Sequence, residues 1–155
     1  MPGHDMWCTP PEFFDVVNEE FKFDLDVAAT PKNSLCNEYI TLEKDALIMP
    51  WYGDSVWCNP PYSMIGEFVK RGYEECVQQR NLVCLLIPAY TDPKYWANYV
   101  MKAHEIRFLK GRLQFLENGQ KKQSARFPSV LVVFKWIKGN HYGIGPKQWV
   151  WDWRA

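Results

Sequence analysis

Two stretches of this chain leave no side for water. Leu82-Val83-Cys84-Leu85-Leu86-Ile87 is ended by Pro88, and Ser129-Val130-Leu131-Val132-Val133-Phe134 follows Pro128. A strand that is apolar at almost every position must be covered on both faces, which is the condition of strands inside an α/β sheet. Segments with helical spacing surround these runs. Residues 64–79 place Ile65, Phe68, Val69, Tyr73, Cys76 and Val77 on one side of a helix. Phe13, Phe14, Val16, Val17 and Phe21 do the same nearer the start, where Thr9 reads as a helix cap, Pro10 and Pro11 as first positions and Glu12 as the partner in a capping box. Asp92-Pro93 opens a third helix reaching residue 102. Shorter strands are expected over 23–29 (ending near Asp26), 38–41, 55–58 and 106–109. Residues 111–127 are polar, basic and long for a plain connection, and are expected to form a functional or mobile loop. Strands alternating with helices give an α/β fold, a mostly parallel sheet with helices on both faces, and such sheets place ligands at the carboxyl ends of their strands.

The 155 residues suit a single domain. No basic region leads into an apolar run over residues 1–11, and the longest apolar stretches are too short to cross a bilayer. The five cysteines have no CxxC spacing and sit in apolar surroundings, and the three histidines lack metal-ligand spacing. The expectation is a cytoplasmic protein with free buried thiols, no metal and no membrane partner. Charge is unevenly spread. Residues 1–60 carry eleven acidic and three basic side chains, and residues 100–155 the reverse. Charge blocks often pair with one another or simply face solvent. A basic half also suits a polyanion, since closely spaced phosphates reward several cations on one face. Lys110, Arg112, Lys121, Lys122 and Arg126 form the densest group, and residues 110–128 are the candidate loop for contacts to a phosphate backbone.

The strongest chemical signal is Asn59-Pro60-Pro61-Tyr62, placed where the strand over 55–58 must stop because proline cannot continue a ladder. An aromatic amine must have its nitrogen turned toward an incoming methyl group before it can accept one. The Asn59 carboxamide oxygen and the Pro60 carbonyl can each accept one amino hydrogen, which fixes that orientation and favours the developing positive charge. Two consecutive proline rings, Pro60 and Pro61, stiffen the segment, and Tyr62 offers a flat face for stacking. The plain alternative is a stiff turn with Tyr62 packed on the core. A strand before it, a helix after it and an acidic strand end some thirty residues earlier favour the chemical reading.

Asp26 is the second candidate. A carboxylate at a strand end can hold the ammonium or ribose of a cofactor, with small Ala28 and Ala29 allowing close approach, although a glycine-rich FxGxG loop is absent. Asp45 can accept from a cofactor adenine while Leu47 packs its ring. For both acids a cap or solvated turn is the competing reading. Trp51 and Trp57 read as core, with lining of the pocket as the lesser alternative.

Trp7-Cys8-Thr9-Pro10, Leu25-Asp26-Val27-Ala28-Ala29, Asn33 with Cys36, Tyr39 and Thr41, Asp45-Ala46-Leu47, Trp51, Val56 to Ser63 and Gly111-Arg112-Leu113-Gln114-Phe115 occur in an order that resembles the bacteriophage-type DNA N6-adenine methyltransferases. The resemblance runs from Trp7 to about Phe134. It implies a Rossmann-like, class I methyltransferase-like fold, S-adenosyl-L-methionine as cofactor and duplex DNA as partner. It also implies that Asn59 to Tyr62 form the catalytic motif, with Asn59 also near the cofactor. Trp7, Thr9 and Pro10 would be the amino-terminal cofactor segment, Asp26 to Ala29 the first cofactor motif, and Asp45 a cofactor-contacting acid. No separate recognition domain is present, so the 111–127 loop and the tail would read sequence. Two other functions remain open at this point. The same Asn-Pro-Pro-Tyr chemistry serves an RNA adenine or a protein glutamine, and the missing glycine loop suits a non-catalytic DNA-binding or assembly protein that keeps the fold.

Overall fold

The two apolar runs become neighbours at the centre of one sheet in the computed structural model, which describes residues 7–41, 46–117, 119–121, 124–138 and 145–155. Along the chain the elements are α1 (Pro11–Phe21), β1 (Leu25–Ala29), β2 (Tyr39–Thr41), β3 (Ser55–Cys58), α2 (Ile65–Gln79), β4 (Leu82–Pro88), α3 (Lys94–Asn98), β5 (Glu105–Leu109), β6 (Leu116–Glu117), β7 (Gln120–Lys121), β8 (Ser129–Lys135) and β9 (Lys147–Trp151). Single 3-10 turns occupy Tyr62–Met64 and Val100–Lys102. The main sheet runs β2-β1-β3-β4-β8-β5-β9, and β6-β7 is a separate hairpin. β1, β2, β3 and β4 are mutually parallel, β9 is parallel to β5, and β8 is antiparallel to both neighbours, β4 and β5.

The mostly parallel sheet is therefore present, with β8 reversed. Its apolar sequence reports burial on both faces, not direction. Residues 110–128 return the chain from β5 to its sheet neighbour β8, the described part of them holding a hairpin and no helix, and the two strands pair antiparallel. β4 and β8 pair over seven positions, from Leu82 with Lys135 to Pro88 with Ser129.

Helices cover both faces. Phe13, Phe14 and Val17 of α1 pack with Trp57, Cys84, Leu86, Leu131 and Val133 on one face. Ile65, Phe68, Val69 and Cys76 of α2 pack with Val56, Cys58, Val83, Leu85, Val130 and Val132 on the other. Val16 and Val77, expected on the inward faces, are exposed. On α2 the inward positions include Gly72 and Glu75 instead; the Glu75 carboxylate accepts from the buried Trp51 backbone N–H and pairs with Arg71 at 3.6 Å. The third helix breaks at Tyr99, where φ is −130°, and resumes as a 3-10 turn.

Three further expectations change. β1 does not end near Asp26 but runs to Ala29, with its pairing to β2 slipping between Val27 and Ala29. The 111–127 stretch is not a free loop: Leu113, Phe115, Ala125 and Phe127 are buried in the α1-side core, and the stretch contains the β6-β7 hairpin. Alternate residues at each end face inward, which composition alone conceals. Thr9 does not cap α1. Pro10 holds the cap position, its carbonyl accepting from Phe13 and Phe14 N–H at 3.1 Å, with no side-chain cap.

Two glycines set spacing. A Cβ on Gly53 would lie 2.6 Å from Asp24 Oδ1, and that carboxylate accepts from Asp54 N–H at 3.0 Å and Ser55 N–H at 3.2 Å, tying the start of β3 beside β1. A Cβ on Gly72 would lie 3.1 Å from Leu85 Cδ1 and 3.4 Å from Val83 Cγ1, so α2 sits against the sheet with no spare room. Gly72→Val should lower stability by about 1–3 kcal/mol through overpacking. In urea unfolding, that penalty should be smaller in a Leu85→Ala background than in the unaltered chain, because the nearest obstructing atom has gone.

Candidate active site

The chain leaves β1 toward β2 on one side and returns to β3 on the other, so a crevice opens at the carboxyl ends of β1 and β3. This is the topological switch point at which open α/β sheets bind ligands. Asp26 of β1 pairs in register with Trp57, two residues before Asn59. A small cavity of about 50 Å³ sits there, walled by Trp7, Thr9, Asp26, Ala28, Asn59 and Pro61 among others.

Asp26 is 4 % exposed, and its Oδ2 accepts from Leu35 N–H at 2.8 Å. Burial pushes its carboxyl up to about 7, partly opposed by that hydrogen bond. Among the described residues no cation pairs with it. Ala28 takes a left-handed conformation, φ 66°, the backbone region that favours glycine. The degenerate loop thus keeps a glycine-like turn with an alanine, and Ala29 beside it is buried. Trp57 is wholly buried, its indole N–H has no hydrogen-bond partner among the described residues, and the residue is among those lining the same cavity. A buried carboxylate that no cation meets among the described residues, lining a small cavity, suits an ammonium-bearing polar head. The residues present therefore fit the charged end of an amino-acid-like cofactor.

A second, open cleft of about 970 Å³ lies on the other side of the segment. Tyr62, Ser63, Gly66, Pro88, Tyr90 and Arg126 are among its walls, and Trp7 borders both spaces. Tyr62 sits in an aromatic nest, with ring centroids 6.0 Å from Trp7, 6.3 Å from Phe115 and 5.3 Å from Phe127. Burial pushes its phenol well up, so it stays protonated. Pro60 and Pro61 are buried and Asn59 is half-buried. The Asn59 Nδ2 donates to Thr9 Oγ1 at 3.0 Å and reaches the Trp7 carbonyl at 3.5 Å.

Residues 7–9 form a strap across this junction. Cys8 and Leu116 exchange backbone hydrogen bonds of 2.7 and 3.0 Å, and Trp7 Nε1 donates to Glu117 Oε2 at 3.1 Å. Pro10 follows as the cap of α1. The structure therefore brings Trp7, Thr9, Asp26, Ala28, Ala29 and Asn59 to Tyr62 together. Leu47 packs on the α2-side core, off the wall of the small cavity, and Asp45 lies outside the described residues. Trp51 is core. Of the basic group, Arg126 is exposed in the large cleft, Lys110 pairs with Asp152 at 3.5 Å, Lys121 with Glu12 at 3.9 Å, and the Arg112 guanidinium donates to the Ala125 carbonyl at 3.4 Å. Lys122 lies outside the described residues. Sequence reasoning missed Leu35, Tyr90 and Tyr95 as wall residues; no spacing signal marks them, since chain reversal brings them in. Among the described residues no group of His, Cys, Asp or Glu is placed to hold a metal ion, and no helix is long and apolar enough to cross a membrane. All five cysteines are free, with Cys58, Cys76 and Cys84 buried.

A largely parallel sheet with one reversed strand, layered by helices, with an Asn-Pro-Pro-Tyr strand end beside an acidic crevice, defines a Rossmann-like class I methyltransferase. The chain belongs to the DNA N-6-adenine-methyltransferase (Dam) family, whose model matches residues 1–148. It is 32% identical over 136 residues to the DNA N-6-adenine-methyltransferase of Haemophilus phage HP1 (strain HP1c1), covering 84% of this chain and 79% of that protein. It is also 32% identical over 112 residues to the DNA N-6-adenine-methyltransferase of Escherichia phage T1, covering 70% of this chain and 46% of that one. Family membership gives the activity, methylation of adenine N6 in DNA, and implies S-adenosyl-L-methionine as methyl donor.

The Asp26 carboxyl has a direct consequence for stability. Its ordinary value is 3.8 and its folded value about 7, so between those pH values the folded chain holds a proton that the unfolded chain has lost. Stability should fall as pH rises through that window and level off above it, by up to about 4 kcal/mol. Urea midpoints compared between the unaltered chain and Asp26→Asn across that range should differ in slope; parallel curves would show that Asp26 titrates normally.

Proposed function

We propose that the Asn59-Pro60-Pro61-Tyr62 segment is where adenine in duplex DNA receives its methyl group, with the donor's charged head at Asp26. The observation that carries this reading is the position of the segment. Asn59 and Pro61 bound the small acidic cavity, Tyr62 and Ser63 bound the large cleft, and no other short stretch among the described residues reaches both except Trp7. Donor and acceptor would meet across it.

In this reading Asp26 holds the donor's ammonium, with Thr9, Pro10, Ala28, Ala29 and Trp7 forming the surrounding wall. Asp45 is kept as a second cofactor-contacting acid and Leu47 as an apolar contact for the cofactor's adenine. When bound, S-adenosyl-L-methionine supplies an electrophilic methyl on a sulfonium, which needs no further activation. The chain's task is placement. Asn59 Oδ1 and the Pro60 carbonyl accept the two amino hydrogens of adenine, and Tyr62 stacks on the base. With both amino hydrogens held by these acceptors, the N6 lone pair is turned toward the methyl that the donor would supply, and the surplus amino proton is left free to pass to solvent. No general base is required. Reaching a paired base means flipping it from the stack at a few kcal/mol, which Arg126, Lys110, Arg112, Lys121 and Lys122 would help offset through phosphates.

Incubation with isotopically labelled donor and mixed-sequence duplex DNA, followed by digestion, should yield labelled N6-methyladenine. Label found only on RNA or on protein glutamine would transfer the reading to those substrates. Asn59→Ala should abolish turnover and spare donor binding. Donor affinity should rise as pH climbs toward about 7 and Asp26 ionises to meet a cation, and Asp26→Asn should bind weakly with no such rise. Arg126→Glu should weaken DNA binding and flatten its dependence on log salt by about one phosphate contact; an unchanged salt slope would remove Arg126 from the DNA face.

A further inference from the structure

An amide has two ends that differ in hydrogen bonding but hardly in shape. For Asn59 to accept an amino hydrogen, its oxygen and not its nitrogen must face the substrate. Something in the protein has to enforce that choice. The Trp7 carbonyl can only accept, so the end of the Asn59 carboxamide that faces it must be nitrogen. That contact is long, at 3.5 Å, and weak alone. The Thr9 hydroxyl makes the better contact, accepting from the same Nδ2 at 3.0 Å.

We propose that Thr9 is a positioning residue for the reaction, its hydroxyl holding the Asn59 carboxamide by the nitrogen so that Oδ1 is kept for the amino group to be methylated. The inference rests on the reading of Asn59 given above and adds the residue that sets its orientation. Thr9 is well placed for this. It is 4 % exposed, so water does not compete for its hydroxyl. Its backbone is fixed on both sides, by the Cys8–Leu116 bridge before it and by Pro10 at the cap of α1 after it. Its hydroxyl is not spent on capping α1. Among the described residues nothing donates to Asn59 Oδ1. The N-terminal threonine thus acts through Asn59, not on the substrate.

The test compares Thr9→Val, which keeps the shape and removes the oxygen, with Thr9→Ser, which keeps the oxygen, and with Asn59→Ala. Thr9→Val should lower kcat by about tenfold or more. Its KM values for DNA and donor should stay within a few-fold of the unaltered enzyme. Thr9→Ser should recover most of the lost turnover. The side-chain amide resonances of Asn59, assigned by their disappearance in Asn59→Ala, should shift in Thr9→Val and return in Thr9→Ser; this reads the contact directly should Thr9→Val be poorly active through misfolding. If Asn59→Ala is inactive while Thr9→Val turns over normally, Thr9 does not position Asn59 and the catalytic reading stands. If Thr9→Val only weakens donor binding, with kcat intact at saturation, Thr9 is a cofactor contact and the inference fails. Full activity of Asn59→Ala would overturn both.

Discussion

The parallel pairing of β1 with β3 is the constraint from which the site follows. Leu25 lies beside Val56, Asp26 beside Trp57 and Val27 beside Cys58, while the chain between them has gone out to β2 and back. No connection therefore closes over the carboxyl ends of these two strands. The pairing itself depends on small local facts. The Asp24 carboxylate gathers the first amides of β3, and Gly53 lets that carboxylate approach; Gly72 seats α2 closely on Val83 and Leu85 of the neighbouring β4, while Phe13 and Phe14 pack on the opposite face of the sheet. Once the register is set, Asp26 and Asn59 have only one relation to each other.

The site is also where the fold gives up stability. Among the described residues, a buried carboxyl has no counter-ion and an indole N–H has no partner, and an alanine takes a left-handed backbone. Each is unfavourable in isolation and persists only where the surroundings over-determine it. The surroundings here are unusually aromatic. Trp57 alone touches Phe13, Phe14 and Phe23, with ring centroids 6.5, 5.3 and 5.3 Å away. Arg107, buried under Phe21, Trp149 and Trp151 and paired with Glu20 and Glu105, ties α1 to β5 and β9. The high tryptophan content is thus mostly structural support behind a strained crevice, with Trp7 as the ring that borders both spaces.

Much of this was readable before any coordinates. Period and length gave β3, β4, β8, α1 and α2, because burial on one face or two leaves a direct trace in residue type. Asn59 to Tyr62 stood out because prolines end a strand and cannot be mistaken for core. What the chain concealed were facts of pairing. The apolar run over 129–134 says nothing of its direction. Asp26 reads as close to a strand end from the alternating pattern around it, whereas the strand runs on to Ala29 and Asp26 is buried on the wall of the small cavity. Thr9 read as a cap because Thr-Pro-Pro-Glu has the form of one, and only its neighbour in space, Asn59, shows another use. In residues 111–127 the charges were visible and the buried Leu113, Phe115, Ala125 and Phe127 were not, since alternate burial in so polar a stretch resembles scatter.

The strap at residues 7–9 joins pieces that are far apart along the chain. It reaches Asn59 some fifty residues on and Leu116 more than a hundred residues on, and α1 behind it leans on Trp151 and Trp153. Contacts of such long separation form late, after their loops have closed. The central strands can be in place, and the protein folded by most measures, before Asn59 has its holder. The same arrangement works in reverse. The strap's ties, its backbone hydrogen bonds to Leu116 and the side-chain contacts of Trp7 with Glu117, Cys8 with Asn33 and Thr9 with Asn59, are separate from the sheet's own ladder, so the strap can lift without the sheet unfolding and loss of activity on warming should precede loss of the fold.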